Sequence, residues 1–165
     1  MKTIISEKIA RIIKNKKKLQ EKLKVKITNR GKEVFITGKP ENEYIAEKVI
    51  DALNFGFPYS SAMLIKSDEF EFEILNIKDY TKRKDLHRVR ARIIGKGGRT
   101  LKTLTQLTKC YLEIKDNYIG IIGSPEQIKN AQNAIIAIIQ GAKQSNVYKS
   151  LEKTQIKPLS DLGLK

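Results

Sequence analysis

The sequence contains very little of the chemistry that disulfides, metal sites and catalytic centres require. Its 165 residues include one cysteine, Cys110, one histidine, His87, and no tryptophan. A single cysteine excludes an intramolecular disulfide and a cysteine-based zinc site, and is consistent with a reducing compartment. His87 is expected on a helix surface. Because neither paired carboxylates nor triad spacing is present, the sequence predicts no enzyme and no cofactor.

Long apolar runs are also missing. No stretch approaches the about 20 apolar residues that cross a bilayer, and the amino terminus lacks the apolar core of a signal peptide. We therefore expect no membrane contact and a cytoplasmic location. Apolar residues still make up 40% of the chain, which is enough for a packed core. The length allows one domain or two small ones, and we expect two.

Positive charge is abundant and unevenly distributed. The chain has 33 Lys and Arg against 18 Asp and Glu, a net charge of +15, so polyanions such as nucleic acid are the first partner to consider. Residues 82–102 contain nine basic residues and one acidic residue, net +8. Residues 67–165 together carry net +7, so the rest of that half sums to −1. The positive field is concentrated in one segment.

Two parts of the chain repeat. The tetrapeptide Ala-Arg-Ile-Ile at residues 10–13 recurs at residues 91–94, and residues 36–56 align with residues 121–141 at an offset of 85. Eight of these 21 positions are identical, whereas average residue frequencies give roughly one or two. The identities include Gly-x-Pro-Glu, which opens a predicted helix, and a glycine that closes it. We predict one fold used twice.

Periodicity in the second copy predicts the order βααββα. Phe70, Phe72 and Ile74 alternate with glutamates, as in a half-buried strand. Helical spacing of apolar residues then runs to residue 94 and resumes from residue 101. The following elements are strands at residues 111–114 and 118–122, joined by a turn at residues 116–117, and a last helix. The first copy has the same predicted order, with one helix to residue 13 and a second from about residue 17 to residue 24.

Residues 95–98, hereafter the glycine loop, read Gly-Lys-Gly-Gly and join the two predicted helices. A loop without β-carbons lets a sugar-phosphate backbone approach main-chain N–H groups. The helix that follows directs the positive end of its dipole at the anion. We predict that this loop binds the phosphates of single-stranded RNA, about four nucleotides at a time. The predicted RNA-binding residues are Arg92, Ile93, Ile94, Gly95, Lys96, Gly97, Gly98, Arg99 and Lys102.

Other interpretations of the glycine loop fit less well. An ordinary turn beside a solvated charged face rarely needs three glycines in four positions. A dinucleotide-binding loop needs a preceding strand and a glycine at position 100, where this chain has threonine, and a Walker loop needs a Gly-Lys-Ser/Thr ending. The first copy has Lys-Asn-Lys-Lys at the aligned residues 14–17 and no glycine. Lysines 16–18 either attract phosphate or form a solubilising face.

The string Ile-Ile-Gly-Lys-Gly-Gly-Arg-Thr at residues 93–100 resembles the signature of type I KH domains, which have the order βααββα. Further likenesses are the degenerate first copy, Ile-Ile-Gly-Ser at residues 121–124, and Ile-Gln-Gly at residues 139–141 followed by Val147-Tyr148. Together, over residues 1–152, they resemble the two-KH ribosome-assembly proteins of the Partner-of-Nob family in its short archaeal form. The resemblance implies an α+β fold with two tandem type I KH domains, the first degenerate.

The same resemblance implies a function and partners. Members of the Partner-of-Nob family bind small-subunit ribosomal RNA near its 3′ end during ribosome assembly, and their partners include the Nob endonuclease and the initiation factor two α subunit. The expected division is a degenerate KH domain at residues 1–57, a packed inter-domain segment at 58–68, an intact KH domain at 69–150 and a tail at 151–165, either disordered or a docking peptide. The alternative is a KH-fold scaffold in translation initiation or RNA processing with weak or vestigial RNA binding.

Overall fold

The computed structural model describes residues 1–155 and contains two antiparallel sheets of three strands. The first sheet has the order β1-β3-β2, and the second has the order β4-β6-β5. We call residues 1–66 the first unit and residues 71–155 the second unit. The strands are β1 (Lys2–Ile5), β2 (Val25–Arg30), β3 (Glu33–Gly38), β4 (Glu71–Asn76), β5 (Tyr111–Lys115) and β6 (Tyr118–Gly123).

Helices cover one face of each sheet. The first unit has α1 (Ile9–Leu23), α2 (Pro40–Phe55) and the short α3 (Tyr59–Ala62). The second unit has α4 (Leu86–Ile94), α5 (Arg99–Thr108), α6 (Pro125–Ile139) and α7 (Gln144–Gln155). The result is a mixed α+β architecture. The two units have the same sheet order, and in each the central strand, β3 or β6, is followed directly by a long helix, α2 or α6.

The prediction of two helices at residues 9–24 of the first unit was wrong. Helix α1 runs without interruption through residues 14–17, because lysine favours helix and this segment has neither glycine nor proline to end it. The Asn15 side chain donates a hydrogen bond to the Arg11 carbonyl within the helix, at 2.8 Å. The first unit therefore has no loop at the position where the second unit has its glycines.

The second unit follows the predicted order. Strands β5 and β6 meet at a turn in which Asp116 has a φ of 55°, and α4 and α5 flank the glycine loop. The expectation that Ile74 is buried with Phe72 was wrong, since the Ile74 side chain is 51% exposed. Strand β4 lies at the sheet edge, and Leu75 is the residue that enters the core.

An aromatic cluster joins the two units. The rings of Phe55, Phe57 and Phe72 lie 5.6 to 6.0 Å apart between centroids. A β-carbon at Gly120, in the central strand of the second sheet, would lie 2.7 Å from the Phe57 ring and 2.8 Å from the Phe55 ring. Ile122 of the same strand belongs to the core of the first unit. Phe55 and Phe57 therefore cover the outer face of the second sheet around Gly120, whereas Ile74 on the edge strand stays exposed.

Residues 58–66, which belong to the predicted inter-domain segment 58–68, pack on the rest of the first unit. Ala62 and Ile65 are buried in the core of the first unit, and Met63 and Leu64 pack against it. At the other end, α7 continues across the boundary that we predicted between residues 150 and 151. The predicted tail lies outside the described residues from position 156 onward. Within residues 1–155 no helix combines the length and the apolar character needed to cross a membrane.

Candidate nucleic-acid interface

The glycine loop begins where α4 ends. The Gly95 N–H donates to the Ala91 carbonyl at 2.8 Å, and Gly95 then turns the chain with φ 75° and ψ 171°. A short 3₁₀ turn over Lys96–Gly98 follows, in which Gly98 has φ 78° and ψ 10°, and α5 starts at Arg99. Positive φ values of this kind favour glycine. The loop is therefore a compact link between two helices.

The loop glycines differ in the space around them. A β-carbon on Gly95 would lie 2.7 Å from both Cβ and the backbone nitrogen of Thr100. A β-carbon on Gly97 or Gly98 would meet no atom within 4 Å. Gly95 is thus required by packing within the protein, whereas Gly97 and Gly98 leave an open surface that a ligand backbone can approach.

Helix α5 presents an uncapped, positively charged amino terminus at this surface. No side chain caps the helix at Gly98, and its first turn has no acidic residue. Lys96, Arg99 and Lys102 are exposed, and the structure gives these three no ion pair to any of residues 1–155. The dipole of α5 and the charges of these lysine and arginine side chains both make the potential at this surface positive. The site is therefore suited to an anion.

Part of the basic segment is engaged elsewhere. Arg83 forms an ion pair with Asp85 at 2.7 Å, and the hydrogen bond from Arg83, with the positive charge of Arg88 nearby, lowers the pKa of Asp85 to about 2. Arg90 donates to the Asn117 side chain at 2.9 Å, across to the β5–β6 turn. The ion pair offsets the charge of Arg83, whereas Arg90 is held at the turn by hydrogen bonds to neutral groups and keeps its charge.

The predicted RNA-binding residues before the loop occupy three different environments. Ile93 is fully buried in the core of the second unit, so its side chain is not available to RNA. Ile94 is 36% exposed beside the loop. Arg92 is half-buried and donates to the carbonyls of Ile138 and Ala142 at 2.8 and 2.7 Å, at the end of α6. Arg92 is therefore a helix-capping residue in this structure.

Two residues at the site were missed as functional candidates. Thr100 is 6% exposed and lies directly under Gly95. Gln144, the first residue of α7, donates from Nε2 to the Arg92 carbonyl at 3.0 Å and to Thr100 Oγ1 at 3.3 Å. No periodicity or motif marks Gln144 in the sequence. Its proximity to the loop results from the connection between α6 and α7.

The first unit repeats the scaffold of the site without the loop. Arg11, which aligns with Arg92, donates to the carbonyls of Gly56 and Phe57 at 2.7 and 3.0 Å, at the end of α2. The residues aligned with the glycine loop lie within α1. The ammonium of Lys18 lies 5.6 Å from the centre of the Tyr59 ring. The helix-capping contact is thus present in both units, and the open loop is present in one.

Comparison with known proteins places the second unit in a defined family. Residues 71–156 match the model of the second KH domain of PNO1 proteins, described as a eukaryotic type KH-domain (KH-domain type I). A KH domain-containing protein of Methanocaldococcus jannaschii is 29% identical over 113 residues, 68% of this chain and 50% of that protein. The RNA-binding protein PNO1 of Oryzias latipes is 40% identical over 106 residues, 62% of this chain and 44% of that protein. The chain spans about half the length of these curated relatives.

Solved structures extend the similarity to nearly the whole chain. A chain in the crystal structure of the a/eIF2alpha–aDim2p–rRNA complex from Pyrococcus horikoshii OT3 superposes with a TM-score of 0.84 at 30% identity. The match covers 93% of this chain and 92% of that chain. The likeness therefore includes the first unit as well as the second.

Proposed function

Because the chain belongs to the Partner-of-Nob (PNO1) family of KH-domain proteins, we propose that it binds single-stranded RNA through the glycine loop of its second unit. The observation that carries this proposal is the open surface at Gly97 and Gly98 against the uncapped amino terminus of α5. A phosphate group can approach the backbone there without meeting a side chain.

Each part of the site has a distinct task in this proposal. The N–H groups of Gly98 and Arg99 already donate to the Gly95 and Lys96 carbonyls, so the loop amides offered to a phosphate are those of Lys96 and Gly97. The side chains of Lys96, Arg99 and Lys102 supply charge, and the exposed part of Ile94 supplies an apolar contact for a base. Arg92 and Ile93 support the loop from behind.

The RNA that we propose is small-subunit ribosomal RNA near its 3′ end, bound during ribosome assembly in the cytoplasm. The similar archaeal protein is crystallised in a complex with rRNA and the initiation factor two α subunit, and these are the first partners to test, followed by the Nob endonuclease. The role is binding rather than catalysis, since Asp85, the acid next to α4, is paired with Arg83. A nuclease assay with divalent metal tests this directly.

We further propose that the first unit is a degenerate KH domain, so that the chain has two in tandem. It has the same sheet order and the same arginine cap as the second unit. Its loop has been replaced by continuous helix, which leaves lysine charges but no open backbone. The proposed division is 1–57, 58–68 and 69–150, with α7 carrying the second domain a few residues into the segment 151–165.

The decisive experiment replaces Gly97 and Gly98 together by Asp. Both positions are open but left-handed, which costs each Asp about 1–2 kcal/mol, so a fold with typical stability of about 5–15 kcal/mol should persist, while two negative charges exclude phosphate. We expect at least tenfold weaker binding of a single-stranded oligonucleotide in a fluorescence anisotropy titration. The matched control is Asn29→Asp with Gly31→Asp, which adds the same charge at exposed positions near the end of β2 and in the β2–β3 turn. If the loop variant binds within about twofold of wild type, a difference below about 0.5 kcal/mol, the proposed site is wrong.

Two further measurements separate the mechanism from the biological target. Wild-type protein should bind a single strand from the rRNA 3′ tail better than the same sequence in a duplex. Equal affinity for both would contradict the KH mechanism. The protein should also co-sediment with small-subunit precursors and be largely missing from mature ribosomes. Single-strand binding without this association would contradict only the ribosomal target.

A further inference from the structure

One amide group contacts both ends of the glycine loop. Gln144 Nε2 lies 3.0 Å from the carbonyl oxygen of Arg92, three residues before the loop, and 3.3 Å from Oγ1 of Thr100, two residues after it. The hydroxyl of Thr100 lies in turn under Gly95. A single donor from α7 therefore fixes the spacing between the end of α4 and the start of α5.

Arg92 completes this connection in the opposite direction. Its main-chain carbonyl accepts from Gln144, and its guanidinium donates to the carbonyls of Ile138, in the last turn of α6, and Ala142, in the α6–α7 junction. Gln144 begins α7 two residues after Ala142. The loop flank and the α6–α7 junction thus bind each other through side-chain to main-chain hydrogen bonds in both directions.

Glycine has more backbone conformations open to it than any other residue, so a loop with three glycines loses more conformational entropy than most when it orders on a ligand. Holding both flanks reduces that loss before RNA arrives. We infer that Gln144 is a positioning residue for RNA binding, which keeps the glycine loop in its phosphate-accepting conformation. This inference rests on the proposed function of the loop.

The first unit offers an internal comparison. The glycines Gly56 and Gly141 align in the repeat, and three residues further on the first unit has Tyr59 where the second has Gln144. The arginine cap is retained in the first unit at Arg11. The amide donor is thus present in the unit that has a loop to hold and is replaced by tyrosine in the unit whose loop has become helix.

The core holds α4 and α5 in place without Gln144. Val89, Ile93 and Leu104 are 0 to 2% exposed in the core of the second unit, so loss of the amide should leave the fold intact. The test variant is Gln144→Met, which keeps the length of the side chain and removes its donor. The matched control is Gln140→Met, because Gln140 is an exposed glutamine four residues earlier.

We expect Gln144→Met to bind single-stranded RNA about fivefold more weakly, which is about 1 kcal/mol, within the range of one or two net hydrogen bonds. Gln140→Met should bind like wild type. Hydrogen exchange of free protein supplies the readout that a merely structural role would not change. The amides of Gly95 and Gly98 should exchange about fivefold faster in Gln144→Met, while core amides such as that of Leu104 keep their wild-type rates.

The outcomes distinguish this inference from the proposed function. Hydrogen exchange is measured without RNA and therefore tests the loop by itself. A wild-type protein that fails to bind RNA would overturn the proposed function and, with it, the inference that Gln144 positions the loop for RNA. Uniformly faster exchange throughout the second unit would show that Gln144 is only structural and would overturn the inference. Wild-type affinity in Gln144→Met, while the glycine loop still binds RNA, would overturn it as well.

Discussion

Substituting Gly95 and Gly98 separately should distinguish the effect of a loop glycine on folding from its effect on RNA binding. Gly95 lies at φ 75° and ψ 171°, a region that is essentially restricted to glycine and costs about 1–3 kcal/mol for other residues. The close approach to Thr100 adds an overpacking cost of about 1–3 kcal/mol. We therefore expect Gly95→Ala to lower the free energy of unfolding by about 2–6 kcal/mol, from the sum of the two effects.

Gly98→Ala should behave differently. Gly98 has a left-handed conformation, which costs an alanine about 1–2 kcal/mol, and its β-carbon has open space around it. Urea unfolding followed by circular dichroism gives both free energies, and RNA titrations at a temperature where both variants are folded give the affinities. Gly98→Ala should lose affinity because its methyl group lies where the phosphate approaches. Equal destabilisation by the two variants would refute the distinction between them.

Three further predictions concern the rest of the molecule. Gly120→Ala should destabilise by about 1–3 kcal/mol, because its methyl group enters the aromatic cluster, whereas Ile74→Ala, opposite it in the sheet and exposed, should change the melting temperature little. Burial, with the charge of Glu47, raises the pKa of Asp51 to about 6. Stability should therefore fall as pH rises from about 4 to about 6 and level off above, and Asp51→Asn should remove that slope and add about 1 kcal/mol at pH 7, after allowing for solvent screening. Lys16→Glu with Lys17→Glu should weaken the binding of all RNA sequences alike and reduce the salt dependence of that binding. A change in sequence preference would instead show that the first unit contacts bases.

The sequence predicted the second unit well because its signals are local. Helical spacing, the residues of the β5–β6 turn and the glycine loop each determine nearby backbone structure, and the structure confirms all three. The first unit was predicted through its likeness to the second, and that inference was wrong at residues 14–17. Helix propensity decided the backbone there, since no glycine remained to interrupt the helix.

Side-chain partners that lie far along the chain could not be predicted from local patterns. Arg92 was predicted to bind RNA, which stays a prediction, and the structure adds that its guanidinium donates to carbonyls 46 and 50 residues later in the chain. Likewise, Ile74 was assigned to the core by alternation, but it lies on the edge strand β4 and its side chain is 51% exposed. Such partners depend on tertiary packing. The repeat itself gave one usable signal, since Arg11 and Arg92 align and make the same contact.

The aromatic contact between the two units has a geometric consequence. Because Phe55 and Phe57 pack on Gly120, a hinge motion between the units would open this contact. An RNA strand bound at the glycine loop, as proposed, would therefore place the first unit at a set distance and angle from that strand.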